Sequence, residues 1–175
     1  MNILKKTAVF TILLSLLIGT VNLSAGPKGP TIVEVAIAAN AEGGPYEGVF
    51  DTLIAAVLAA DPAVIETLNG NGQHTVFAPT DDAFLALGIT PDNVGALPTD
   101  ILTEILLYHV ANGRHYATDV LDSDRIRTLQ RGFLFQDGGV LTDTQDREAA
   151  IIVTDVEAAN GIIHAIDAVV LPFAL

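Results

Sequence analysis

A chain of 175 residues, half of them hydrophobic, is long enough for one domain with a substantial core. It has no cysteine, which excludes disulfides, thiolate metal sites and cysteine nucleophiles together. A net charge of −13 repels phosphate backbones and anionic lipid surfaces and so argues against nucleic-acid or membrane-surface binding.

Lys5 and Lys6 precede an apolar run from Ala8 to Ile18, and a small-residue exit, Leu23-Ser-Ala25, follows. This is the pattern of a secretory signal peptide over residues 1–25, cleaved near Ala25. The apolar run is shorter than the ~20 residues that a membrane span needs. The mature protein is therefore expected to be secreted, periplasmic or extracellular, and losing both lysines takes its net charge to about −15. Residues 26–30 read as a flexible lead, and 31–175 as a single domain without internal repeat or linker.

Thr31 and Glu34 form a capping box that opens a helix through Asn40. Residues 42–48 are a loop by composition, and a second helix runs from Phe50 to Ala60 with Phe50, Leu53, Ile54, Val57 and Leu58 on one face. Asp61-Pro62 restarts the chain as N-cap and first helical position of a short helix to Leu68, broken by Asn69-Gly-Asn-Gly72. The stretch Thr75-Val-Phe-Ala-Pro-Thr-Asp-Asp-Ala-Phe84 is then a strand that turns into a helix. Thr75 to Phe77 favour β structure, Pro79 ends the ladder, Thr80 caps, and Asp81 and Asp82 suit the first helical turn.

Thr90 to Val94 predicts a single helical turn, and Asp100 to Leu107 a helix with Ile101, Leu102, Ile105 and Leu106 as its apolar stripe. Tyr108-His-Val110 reads as extended. Beyond it the period changes toward 2, with candidate strands at 115–118, 126–130, 133–136, 140–142, 150–156, 161–166 and 169–171. Gly138-Gly139 and Asn160-Gly161 are hairpin-type turns. Helices followed by a run of short strands, without βαβ alternation, define an α+β fold with a largely antiparallel sheet.

Three blocks in order resemble the fasciclin-like (FAS1) domain family, over residues 31 to about 173. They are Thr75 to Phe84, Leu106-Leu-Tyr-His-Val110, and the closing run from Ala159 to Pro172. The structural motif residues within them are Thr75, Phe77, Ala78, Pro79, Thr80, Asp81, Phe84, Asn160, Gly161, His164 and Asp167. The resemblance implies a wedge or sandwich of about seven mostly antiparallel short strands with N-terminal helices packed against it. It also implies an extracellular, non-catalytic role in cell adhesion. In animal members the Tyr-His motif and an Asp-Ile pair before it are implicated in integrin contact; the matching residues are Tyr108, His109, Asp100 and Ile101. Thr99 stands where some of those members carry lysine, and a bacterial-style signal does not suit an integrin partner.

Candidate chemistry is sparse. His109 has two readings, a buried histidine holding a helix-to-strand junction or a contact residue for a partner, and His164 reads as structural. His74, His109, His115 and His164 lack zinc-site spacing, and Asp119, Asp122 and Asp124 lack the glycine and final glutamate of a calcium loop. Asp143 to Glu148 reads as an exposed acidic hairpin. Ser123 has no nucleophile elbow around it, and no phosphate loop or dinucleotide fingerprint is present. No catalytic residue, metal site or cofactor is expected.

The sequence thus predicts an exported binding module, contacting a cell-surface or matrix protein or polysaccharide. One alternative is a carrier of an apolar small molecule such as a carotenoid, with Ile101, Leu102, Tyr108 and His109 lining a groove. Another is a structural subunit of an envelope assembly.

Overall fold

A computed structural model describes residues 27–174. The expected signal peptide lies outside the described residues. The helices come first: α1 (Ile32–Asn40), α2 (Asp51–Ala59), α3 (Pro62–Asn69), then strand β1 (His74–Pro79), α4 (Asp81–Leu85) and α5 (Thr99–Tyr108). The strands β2 (Val110–Asn112), β3 (Arg125–Arg127), β4 (Phe133–Asp137), β5 (Val140–Thr142), β6 (Glu148–Ala158) and β7 (Gly161–Ile166) follow, with α6 (Ala117–Leu121) between β2 and β3.

The seven strands form one sheet in the order β2-β1-β7-β6-β5-β4-β3. Every pairing is antiparallel except that of β1 with β7, which run parallel with Phe77 opposite His164. The sheet curls until its two ends meet. Ala111 bridges Thr128, and the Leu129 amide donates to the Val110 carbonyl at 2.7 Å. Two apolar cores result, one between the helices and the sheet and one inside the curl. Alternation along β1 sends Val76 and Ala78 to the helices and Phe77 to the interior, so β1 and β7 are buried on both faces. Mixed α+β order, about seven short strands and helices packed on the sheet match the architecture that the sequence implied.

Local chemistry made most helices where they were expected. Thr31 and Glu34 complete both bonds of the capping box, and the Asp61 carboxylate accepts from the Ala63 amide at 2.8 Å. Three expectations need correction. Residues 115–118 do not form a strand: Ala117 begins α6, because its amide is taken by the distant Asp155 carboxylate at 2.8 Å while Asp119 accepts from Tyr116 at 2.9 Å. Residues 169–171 form no ladder, since the Leu171 amide donates to the Asp143 side chain instead of to a strand. Tyr108 is the last residue of α5 and not extended, with His109 capping in a helical conformation. The single helical turn expected over 90–94 is present, its Val94 amide donating to the Thr90 carbonyl at 3.0 Å, and it runs on into a 3-10 turn at Val94–Ala96.

Candidate functional site

The Tyr-His junction lies where the curled sheet closes. Helix α5 carries its stripe, Leu102, Ile105 and Leu106, into the outer core and delivers Tyr108 to the inner one. Tyr108 is fully buried, and its hydroxyl donates to the Phe133 carbonyl at 2.7 Å. Burial, reinforced by the nearby Asp143 charge, pushes the phenol up to about 12. His109 is equally hidden. Its Nδ1–H donates to the Ile105 carbonyl at 2.8 Å, which makes Nε2 the unprotonated nitrogen, buried and without a partner. Burial lowers its pKa to about 4, so the ring is neutral at neutral pH. Asp100 by contrast is exposed at the start of α5, and Ile101 is half-buried.

Asp143, expected on an exposed hairpin, is buried, and this corrects that expectation. Its carboxylate accepts from the amides of Gln145, Arg147 and Leu171 and from Arg147 Nε at 2.7 Å. Burial alone would raise its pKa; these donors outweigh it and hold the carboxyl below its usual range. Arg147 also donates to the Phe173 carbonyl at 2.7 Å, so the pair ties the C-terminal segment to the β5–β6 turn. The sequence signal was the four-residue spacing of Asp143 and Arg147 across a polar turn.

The motif residues of the first and third blocks bind the fold to itself. The Thr75 hydroxyl donates to the Gly113 carbonyl at 2.9 Å and accepts from the His115 amide at 2.8 Å. Phe77 stacks on His164 with ring centroids 5.7 Å apart, and Ala78 and Phe84 pack in the helix-facing core. Pro79 closes β1 opposite Ile166, and Thr80 caps α4 through the Ala83 amide. Asp81 does more than favour its own helix: its two carboxylate oxygens accept from Asp51 and Thr52 and so cap α2. Asn160 accepts from the Ile32 amide at 2.8 Å and donates to the Leu68 and Gly70 carbonyls, joining the start of α1 to the end of α3. A Cβ on Gly161 would lie 2.0 Å from the His74 carbonyl oxygen, so only glycine lets β7 approach β1 there. His164 receives the Asp155 amide on Nδ1 and contacts the His115 carbonyl through Nε2 at 2.9 Å. Asp167 accepts from Ala150 at 2.7 Å.

Two surface hollows stand apart from the junction. One is an apolar cavity of about 110 Å³ among α1, α2 and α3, with Ile32, Ala36, Leu53, Val57 and Leu68 in its lining. Leu102, Tyr108 and His109 are buried elsewhere and do not line it, so the groove expected along them does not form. The other is an open cleft of about 550 Å³ along β3 and the turn after it, lined by Asn112, His115, Arg125, Arg127, Thr128 and Arg131 among others. Sequence reasoning missed this second hollow, although Arg125-Ile-Arg127 and Arg131 are conspicuous in an acidic chain. Among the described residues no group of three or more histidine and acidic side chains is arranged to hold a metal ion. Among them, too, no helix is long and apolar enough to cross a membrane.

With helices at one side of a curled sheet and the Tyr-His tie buried, the chain can be set beside known proteins. The Fasciclin domain family model matches residues 48–172. The chain is 40% identical over 156 residues to Protein sll1483 of Synechocystis, covering 87% of this chain and 79% of that one. It is 30% identical over 152 residues to the cell surface glycolipoprotein MPB83 of Mycobacterium bovis, covering 83% and 66% respectively. Among solved structures, a FAS1 domain pair from the insect cell adhesion molecule Fasciclin I superposes with a TM-score of 0.57 at 22% identity. That likeness covers 70% of this chain and 45% of the domain pair, and it concerns the fold. The chain belongs to the fasciclin-domain family.

Proposed function

We propose that this protein is an exported, non-catalytic binding module that mediates contact with a cell-surface or matrix component. The observation that carries the reading is that the tyrosine, histidines and asparagine of the motifs, and Asp143 with them, are engaged inside the fold, while Asp100 is left exposed. Tyr108, Asp143, Asn160 and His164 are buried with their polar atoms hydrogen-bonded, and His109 is sealed from solvent. Such groups are available to hold a surface in shape, not to meet a substrate. Membership of a family that includes a cell surface glycolipoprotein, and a fold shared with a cell adhesion molecule, support the same reading. The experiment is a clean deletion in the source organism, scored for attachment and aggregation, with the protein localised by fractionation. Loss of attachment restored by the exported protein is expected; a deletion strain that attaches like the parent, or a protein retained in the cytoplasm, refutes it.

The apolar cavity among α1, α2 and α3 favours a second reading, carriage of an apolar small molecule. Ile37 and Leu58, 49% and 71% exposed, extend its rim. Co-expression with a carotenoid source tests it directly: a coloured purified protein supports carriage, and a colourless one that quenches no added apolar fluorophore removes it.

A further inference from the structure

The described residues contain few cations, and their distribution is uneven. Arg147 is tied to Asp143, and Arg114 is bound to Gln73 and to the Ala158 and Gly161 carbonyls. Arg125, Arg127 and Arg131, by contrast, all line the one open cleft on the β3 edge. In β3 the buried residue is Ile126, so Arg125 and Arg127 stand on the opposite, solvent face, roughly 7 Å apart along the strand. Arg125 lies 4.8 Å from the centre of the Phe133 ring, which orients its guanidinium without neutralising it. Asn112 and His115 add polar groups to its lining.

Arg131 is the second, independent observation. Its φ is +81°, in the left-handed region where glycine is the favoured residue. The turn is held firmly: the Arg131 amide donates to the Thr128 carbonyl at 3.0 Å, and the Gln130 amide to the Leu107 carbonyl at 3.2 Å. Beneath it a Cβ on Gly132 would lie 2.8 Å from the Tyr108 ring. An arginine at a strained position, aimed into a cleft that two other arginines share, points to a side chain needed for its charge.

We propose that this arginine cleft is the contact site for an acidic polysaccharide, whose carboxylate or sulfate groups the three guanidinium forks receive. Forked donors match the planar carboxylate and the sulfate oxygens. The acidity of the rest of the surface selects among polyanions. Duplex nucleic acid carries a charge every ~1.7 Å along its axis, and a protein of net charge −13 repels it strongly. A uronate polymer carries at most one charge per sugar, so it meets less repulsion, while acids farther than a Debye length of ~8 Å are screened at physiological salt. The inference rests on the surface-contact reading and gives it a partner class and a place.

The test measures binding of the purified chain to alginate, neutral dextran and duplex DNA at several salt concentrations. The variants are Arg125→Gln, Arg127→Gln, Arg131→Gly and the triple combination. Alginate binding that weakens with salt is expected, with none to dextran. Each single change lowers affinity about three- to tenfold and the triple abolishes measurable binding. All three side chains are exposed, and Arg131→Gly relieves the backbone, so thermal unfolding stays at or above that of the parent. A triple variant that binds alginate like the parent overturns the proposal, as does a parent that binds DNA as well as alginate or binds no alginate. Attachment assays with the triple variant separate this inference from the wider reading: attachment that survives the loss of the arginines refutes the cleft and leaves surface contact standing.

Discussion

Acidification from pH 7.5 to 4.5 is expected to weaken the fold through His109. The ring is neutral in the folded protein, with a pKa of about 4, against 6.5 for an unperturbed histidine. The unfolded chain therefore takes up a proton near pH 6.5 that the folded chain refuses until about pH 4. Stability contributed by this residue is complete above pH 6.5 and is lost progressively as the pH falls toward 4. Linkage gives about 2–3 kcal/mol across the stated interval, an upper figure for a single site. His109→Asn is the comparison, because an asparagine amide can occupy the Nδ1 position and keep the donor to the Ile105 carbonyl. The lowered pKa values of His74 and His164 act in the same direction but are common to both proteins, and so cancel in the difference. Asp143 is lowered, so its contribution is still present at pH 4.5. Urea unfolding of both proteins at each pH is the assay. The parent should lose about 2–3 kcal/mol more than the variant; parallel losses would show that His109 is not held neutral, and the junction would have to be rebuilt as an open one.

Asn160→Ala removes one acceptor and two donors from a fully buried position and strands the Ile32 amide with the Leu68 and Gly70 carbonyls; a loss of about 3 kcal/mol in urea unfolding is expected. Asp81→Ala uncaps α2 and should cost about 1–2 kcal/mol, whereas an effect within a few tenths would mean that water replaces the carboxylate. Tyr108→Phe keeps the ring volume and loses the bond to Phe133, for about 1 kcal/mol by the same measurement. Gly161→Ala forces β7 from β1 at the His74 carbonyl and should yield mainly insoluble protein, with soluble, normally melting protein as the refuting result.

The features legible from sequence were those whose partners lie within a few residues. Thr31 with Glu34, Asp61 with Pro62, and Thr80 before Ala83 each stop or start an element by local bonds, and those elements appear within a residue or two of their expected ends. The illegible ones depend on closure of the chain in space. Asp81 belongs to the start of α4 by sequence yet caps α2, 29 residues away at Thr52. Asn160 looked like a hairpin turn residue, but its side chain reaches Ile32 across 128 residues of chain. Residues 115–118 alternate like a strand until Asp155, on the bulged β6, supplies an acceptor that makes a helix cheaper. The parallel pairing of β1 with β7 leaves only a weak local signal, because the apolar runs that mark strands buried on both faces are broken by His74, Thr75 and His164.

The same distinction bears on what the Tyr-His junction is for. The motif attracted attention because tyrosine and histidine are contact residues when exposed, and here neither is. What Tyr108 touches, however, is the underside of a surface feature. The Tyr108 ring packs under Gly132, its hydroxyl holds the Phe133 carbonyl, and the neighbouring Leu107 and Val110 carbonyls receive the Gln130 and Leu129 amides. Every one of these contacts lands in the turn that presents Arg131 or beside it. A substitution at Tyr108 can therefore alter binding at the arginine cleft without any ligand reaching the tyrosine. Loss of binding on mutating this motif is, on that account, a report on the turn above it. The side chains that meet a partner are then to be sought among residues such as Arg125, Arg127 and Arg131, which change the surface and leave the core as it was.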